Sequence, residues 1–136
     1  LWICIRQDVE WWAENPCLYF EINPEGIDYG FFIYQPRPAV MKEFRRRIAA
    51  KPDEFLTMIR QVEESTGMTI YAEEYKRPEP CENPDLARFY RWKGKIGCTI
   101  HEDFSDEVFG PQLAQRVRDF LVKLIPVYDY FNQFKV

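Results

Sequence analysis

Two alternating runs of apolar and polar residues, joined by one tight turn, constrain the fold more than any other part of the sequence. The runs span residues 18–22 and 27–35, and the turn at residues 23–26 contains a proline and a glycine. Alternation with a period of two is typical of a β-strand, and this turn suits a hairpin that closes with a bulge. The pattern therefore predicts a β-hairpin in which Asn23 lies opposite Ile27.

This register predicts aromatic side chains on both faces of the hairpin. It sets Glu21 opposite Tyr29 and Tyr19 opposite Phe31 on one face. The other face carries the apolar residues Leu18, Phe20, Ile22, Phe32 and Tyr34. A sheet with one face in water does not need apolar groups on both faces, so we expect a further layer to cover the second one. A segment that precedes Leu1 in a longer gene product is one candidate for that layer.

Helical and extended segments follow the hairpin in an order that indicates the fold class. Helices are predicted to begin at Pro38, Pro52, Asn83 and Leu113, with a kink at Pro126 in the last one, and strands are predicted at residues 68–71 and 95–102. No regular strand-helix-strand alternation is present. We therefore predict one α+β domain over residues 1–136, with a mostly antiparallel sheet backed by helices.

Charge and apolar run length exclude several classes of partner. The chain has 18 basic and 22 acidic residues and a formal net charge of −4, which disfavours nucleic-acid and anionic membrane surfaces. The apolar run at residues 1–5 is far too short to cross a membrane. The sequence shows no nucleotide-binding glycine motif and no paired cysteines at metal-ligand spacing, so we predict neither a cofactor nor a metal.

The four cysteines are widely spaced along the chain. They are Cys4, Cys17, Cys81 and Cys98. We interpret them as reduced thiols of a cytoplasmic protein, since disulfides are rare in that compartment. The alternative that Cys4 and Cys17 meet across neighbouring strands stays open.

The candidate ligand-binding cations lie in the irregular connection that precedes the short helix. Lys76 and Arg77 are placed there to hold a carboxylate or a phosphate, because binding residues concentrate in such segments. The alternative is a loop tied to an acid such as Glu73 or Glu79. By contrast, Lys42 and residues 45–47, three consecutive arginines, are predicted to form a solvated face of their helix.

Two residues are candidate proton carriers. Glu21 lies among aromatic residues in the predicted hairpin, where a carboxylate suits a general acid or a ligand clamp, although a structural pair with an arginine would look the same. His101 and Asp103 point to the same side of the predicted late strand and could share a site that Glu102 could not easily join. The alternative is a polar strand end without a chemical role.

Several segments together, in this order, resemble one known family. The matching segments are residues 16–26, 34–36, 52–55, 75–78, 101–102 and 109–111. They resemble the family called domain of unknown function 2461, which consists of conserved hypothetical proteins without an established activity or cofactor. The resemblance also implies a preceding region with two basic stretches, so we expect residues 1–136 to be the C-terminal part of a longer gene product.

The leading interpretation is a domain that binds a small anionic ligand in an aromatic cleft. Lys76 and Arg77 would clamp the charge, Tyr29 and Tyr34 would line the walls, and Glu21 would orient the basic groups. One alternative is an enzyme, a hydrolase or transferase that uses Glu21 or the imidazole of the late strand as its proton carrier. The other is a scaffold whose uncovered sheet face binds a protein.

Overall fold

Five β-strands form one antiparallel sheet in the computed structural model, which describes residues 1–133. The strands are β1 (Trp2–Ile5), β2 (Cys17–Asn23), β3 (Gly26–Ile33), β4 (Tyr71–Glu74) and β5 (Trp92–Asp103). Their order across the sheet is β1-β2-β3-β5-β4, and every neighbouring pair is antiparallel. The predicted α+β class with an antiparallel sheet is confirmed.

Within residues 1–133 there are five α-helices, and proline and glycine predict the bounds of the first two. The five helices are α1 (Pro38–Ala50), α2 (Pro52–Thr66), α3 (Ala87–Tyr90), α4 (Leu113–Lys123) and α5 (Ile125–Asn132). Gly67 ends α2 in the left-handed conformation with a φ of 69°. The predicted kinked last helix is two helices that meet at Leu124, because Pro126 stands in the first turn of α5. None of the helices within residues 1–133 is long and apolar enough to cross a bilayer.

The predicted hairpin register is wrong by one residue. Asn23 pairs with Gly26 and not with Ile27. The Asn23 Oδ1 atom accepts hydrogen bonds from the backbone N–H groups of Glu25 at 2.9 Å and Gly26 at 3.1 Å. The turn therefore closes over two residues, and every side chain of β3 points to the face opposite to the predicted one. Tyr29 consequently faces the helices.

The strand predicted at residues 68–71 begins only at Tyr71. Side chains at the end of α2 take the backbone donors that a longer strand would need. The N–H of Met68 donates to the Thr66 hydroxyl at 3.2 Å, and the N–H of Ile70 donates to the Glu63 carboxylate at 2.7 Å. The segment thus follows the end of the helix before it joins the sheet as β4.

An aromatic core fills the space between the sheet and the helices. Its largest members include Phe31, Phe44, Phe55, Phe89, Trp92 and Phe131. Phe44 of α1 stacks on Trp92 of β5, with ring centroids 5.9 Å apart and an interplanar angle of 5°. This aromatic packing holds the helices against one face of the sheet. The other face of the sheet does not take part in this core.

A disulfide joins the first two strands. Cys4 of β1 and Cys17 of β2 are bonded to each other, while Cys81 and Cys98 are free. The interpretation of all four cysteines as reduced thiols is therefore wrong for the first pair, and the alternative that these two meet is confirmed. The bond lies diagonally across the pair of strands, because Cys4 is directly opposite Tyr19.

Thiol counting is expected to reveal three different environments. Cys81 is half-buried and should react with a thiol reagent in the native protein. Burial raises the pKa of the Cys98 thiol to about 11, so this group should react only after unfolding. We expect one reactive thiol in the native protein, two in denaturant and four after reduction in denaturant. Four thiols in denaturant without a reductant would contradict the disulfide.

Candidate functional site

The face of the sheet that points away from the helices carries polar and aromatic side chains. We call it the open face and define it by Trp2, Tyr19, Glu21, Asp28, Phe32, Tyr71, Thr99 and His101. Trp2 and Tyr71 are each about half exposed, at 48% and 54%. The Tyr19 hydroxyl bonds to the Thr99 Oγ1 atom at 2.9 Å, which links two strands across the glycine of the strand between them.

His101 is held between two carboxylates on the open face. Its Nδ1 lies 2.8 Å from Asp28 Oδ1, and its Nε2 lies 2.9 Å from Asp103 Oδ1. The hydrogen bond with Asp28, followed by that with Asp103, raises the pKa of the imidazole above its usual value of 6.5. The predicted association of His101 with Asp103 is thus present, and Glu102 points to the other face. Because both ring nitrogens are engaged, the geometry favours a fixed imidazolium over a free proton carrier.

The single histidine offers a direct pH test of this arrangement. We expect the His101 ring protons in an NMR titration to report a midpoint above 6.5, and Asp28→Asn to lower it. The pKa of His101 is higher in the folded than in the unfolded state, so protonated His101 stabilises the fold at low pH. This stabilisation is lost as the pH rises through the folded pKa. Denaturant unfolding at a series of pH values, for the protein and for a His101→Gln control, measures how the free energy of unfolding changes with pH. A midpoint at or below 6.5 would contradict the pairing.

Glu21 lies directly opposite Asp28 on the neighbouring strand, and not opposite Tyr29. Its cross-strand neighbours are Trp2 on β1 and Asp28 on β3. Within residues 1–133 its carboxylate makes no hydrogen bond or ion pair. The arginine partner that a structural pair would need is therefore absent from the described residues. The Asp28 carboxylate directly opposite Glu21 is a like charge, which destabilises a sheet.

The sequence predicted that Tyr29 lines a cleft with Glu21, but Tyr29 is buried on the other face of the sheet. It is only 2% exposed, and its hydroxyl donates to Glu102 Oε2 at 2.8 Å. The same carboxylate accepts from Arg116 Nε at 3.0 Å. Burial and the bond to Glu102 raise the pKa of Tyr29 to about 12. Tyr29 is therefore a core residue that anchors a polar contact between β3, β5 and α4.

The other predicted ligand-binding residues, Tyr34, Lys76 and Arg77, are exposed. Tyr34 stacks on Trp12, with ring centroids 6.4 Å apart. Lys76 and Arg77 are exposed in the connection between β4 and α3, and neither makes an ion pair within residues 1–133. Within residues 1–133, no hydrogen bond, ion pair or cation–π contact joins Lys76 or Arg77 to Tyr34 or to the open-face carboxylate Glu21, and Tyr29 lies on the sheet face opposite to Glu21.

A residue that the sequence interpretation assigned to solvent is buried. Arg45 of α1 was expected on a solvated face, yet its side chain is only 9% exposed. Its Nε and Nη2 donate to the two oxygens of Glu79 at 3.2 and 3.4 Å. Its Nη1 is buried and has no hydrogen-bond partner among residues 1–133. Position 45 follows Met41 by four residues, so helical spacing alone already placed it next to the apolar stripe of α1.

The surroundings of this guanidinium form what we call the Arg45 site, defined by Arg45, Tyr75, Glu79, Cys81 and Tyr90. The Arg45 Cζ atom lies 5.5 Å from the centre of the Tyr75 ring. Burial, together with nearby Cys81 and Glu79, raises the pKa of the Tyr90 hydroxyl. The Cys81 thiol donates to the carbonyl of Asn83 at 3.0 Å. Tyr75, Glu79 and Cys81 of this site belong to the same connection as the two exposed cations at positions 76 and 77.

Surface cavities formed by residues 1–133 include ones of about 280, 540, 560 and 700 Å³, and none of these is lined by Arg45, Lys76 or Arg77. The cavity of 560 Å³ is a groove between β1 and α4 with almost wholly apolar walls, which include Ile3 and Val122. No group of three or more His, Cys, Asp or Glu side chains within residues 1–133 is placed to hold a metal ion. At the Arg45 site the Nη1 atom is buried, whereas Glu79 is exposed.

The fold and these residues define a small α+β protein with one helix-covered and one open sheet face. The family model described as "Conserved hypothetical protein (DUF2461)" matches residues 1–130, and the chain belongs to this family. The resemblance carried by the sequence segments is thus confirmed. No curated protein and no solved structure matches the chain. The family description assigns no activity, so the function has to be argued from the sites above.

Proposed function

We propose that this domain binds a small ligand through an oxyanion group, a carboxylate or a phosphate, at the Arg45 site. The observation that carries the proposal is the buried Nη1 of Arg45, which has no partner within residues 1–133. An unsatisfied buried donor costs about 1–3 kcal/mol, and more when it is charged, so such a group calls for a specific explanation. A ligand oxygen at Nη1 would remove this cost.

The chemistry of the site supports an anion over other ligand classes. A guanidinium presents its donors in a rigid planar fork that matches carboxylate and phosphate oxygens. The Tyr75 ring beside Arg45 keeps the cation in a partly apolar environment, where charge interactions are stronger than in water. Tyr90 adds a hydroxyl at the same site.

Lys76 and Arg77 extend the proposal to the surface. Both are exposed, and they directly follow Tyr75 in the order Lys76, Arg77. Two unpaired cations at the entrance of a site attract an anion and raise its association rate, an effect that salt screens. Their predicted role as a clamp becomes, in this proposal, the role of an entrance that leads to Arg45.

Arg45→Met is expected to weaken anion binding strongly. Isothermal titration with inorganic phosphate and with acetate, at constant ionic strength, measures this. Loss of a charged hydrogen bond worth about 3 kcal/mol corresponds to a roughly 100-fold weaker affinity. Arg46→Met is the matched control, since Arg46 is the next residue of α1, is 65% exposed and pairs with Glu43. Wild-type-like affinity of Arg45→Met, or no binding to the wild type, would overturn the proposal.

The double variant Lys76→Ala, Arg77→Ala tests the entrance separately. We expect weaker binding at low salt and a smaller difference from the wild type at high salt, because exposed charges act through the screened field. An affinity equal to that of the wild type at every salt concentration would remove these residues from the proposal.

The two other interpretations stay predictions. An enzyme that uses His101 would need this residue to release one of its two carboxylates, whereas the Glu21 carboxylate makes no ion pair within residues 1–133. A protein-interaction scaffold would need an exposed apolar surface, and the groove between β1 and α4 has that character. The cytoplasmic location is also a prediction, and the disulfide Cys4–Cys17 weighs against it, since disulfides persist mainly in oxidising compartments.

A further inference from the structure

The contact between Arg45 and Glu79 is looser than another arginine pair in the same protein. Arg88 donates to both oxygens of Glu63, at 2.9 and 2.7 Å, which are the usual lengths of charge-assisted hydrogen bonds. The corresponding distances from Arg45 to Glu79 are 3.2 and 3.4 Å. Glu79 is also 58% exposed, whereas the guanidinium that it contacts is buried. The carboxylate thus covers the arginine from the solvent side without closing tightly on it.

The segment that carries Glu79 has few other polar ties to the domain. Its ends are fixed, because the N–H of Tyr75 donates to the carbonyl of Arg91 at 2.8 Å and the Asn83 side chain accepts from the N–H of Asp85 at 3.0 Å. Within the described residues, no backbone hydrogen bond involves residues 76–82. The pair with Arg45 is therefore the polar contact that holds the middle of this segment down, and its release would break no ladder or helix.

We infer that Glu79 occupies part of the position that the oxyanion of the ligand takes on Arg45, because the oxyanion would accept from Nη1 and also from Nη2, where Glu79 now binds. The ligand would therefore bind by displacing residues 76–82. The inference rests on the proposed function of the Arg45 site. It accounts for two observations together. Nη1 is closed to solvent, so a ligand enters only if the segment moves, and the guanidinium edge is already filled by a carboxylate of the kind that the site would recognise.

An internal competitor lowers the apparent affinity of the site by the fraction of molecules in which the site is free. Removal of the negative charge of Glu79 is therefore expected to strengthen the binding of inorganic phosphate and of acetate by about tenfold. If Glu79 were instead part of the binding site, the same change would leave the affinity equal or make it weaker. The sign of the effect separates a displaced residue from a structural one.

The experiment compares phosphate and acetate titrations of the wild type, Glu79→Gln, Glu82→Gln and Arg45→Met. Glu82 is the matched control, since it is an exposed glutamate of the same segment that makes no contact with Arg45. We expect tighter binding for Glu79→Gln only. Binding to the wild type with equal or weaker binding to Glu79→Gln would overturn this inference and leave the proposed function standing. No binding to either protein would overturn both.

Limited proteolysis gives a second readout that needs no variant. Trypsin can cleave after Lys76, whereas Pro78 blocks cleavage after Arg77. Saturating phosphate is expected to accelerate cleavage after Lys76 in the wild type, with the exposed Lys123 as an internal reference site. Glu79→Gln should be cleaved fast even without phosphate. Protection of Lys76 by phosphate would mean that the segment closes over the ligand, and it would overturn the inference.

Discussion

Phe55→Ala is expected to lower the free energy of unfolding by about 3–5 kcal/mol, because it leaves a cavity at the centre of the aromatic core. Phe55 is completely buried, and its ring lies edge-on against Phe44 and Phe89, with centroids 5.3 and 4.7 Å away. Domains of this size have total stabilities of about 5–15 kcal/mol, so the variant is expected to be barely folded.

Urea unfolding followed by tryptophan fluorescence measures this effect, since Trp92 lies in the same cluster. Phe109→Ala is the control. Phe109 is 53% exposed and contacts Phe104, with centroids 5.9 Å apart. Its removal is expected to change the stability by only about 0.5 kcal/mol. Equal effects of the two substitutions would contradict the position of the core between helices and sheet.

Gly30→Ala is expected to cost about 3 kcal/mol, because the central strand has no room for a methyl group at this position. A Cβ atom on Gly30 would lie 2.1 Å from the carbonyl oxygen of Cys98 and 2.8 Å from the Cα of Thr99. Both atoms belong to the backbone of β5, so the clash could be relieved only by separating β3 from β5. These two strands form the middle of the sheet.

Gly97→Ala is the matched control on the neighbouring strand. Its Cβ would meet the Tyr71 hydroxyl oxygen at 2.6 Å, but this is the far end of a side chain that is 54% exposed. The ring can swing into solvent, so we expect a cost of about 1 kcal/mol or less. Thermal unfolding of both variants checks the difference. A greater loss for Gly97→Ala than for Gly30→Ala would contradict the sheet order.

The hairpin shows which parts of a local structure can be predicted from the sequence pattern and which cannot. Alternation predicted both strands and the turn, because the side chains of a strand point to opposite faces in turn. The register depended on a further detail, the two hydrogen bonds that the Asn23 side chain accepts within the turn. A shift of one residue reverses the faces of a strand, and for this reason Tyr29 and Glu21 were predicted together and are found on opposite sides.

For the candidate site, less could be predicted from the sequence than for the hairpin. Lys76 and Arg77 were singled out because of their place in an irregular segment, and they stay a prediction. Arg45 was passed over because three consecutive arginines are typical of a solvated face. Only one of the three, the one that follows Met41 by a helical turn, is buried. Its partner Glu79 comes from a segment 34 residues further along the chain, and spacing along the chain carries no information about that distance in space.

The sequence alone determined the features that depend on neighbouring residues: the class of the fold, the positions of most helices and strands, the breaks at proline and glycine, and the family. These follow from local dihedral preferences and from the period of apolar residues. The tertiary structure decided the hairpin register, the bond between Cys4 and Cys17, the placement of His101 between two carboxylates and the burial of Arg45. The register depends on side-chain hydrogen bonds inside the turn that the alternation does not reveal. The other three depend on groups that are distant in the chain and are brought together only when the chain folds.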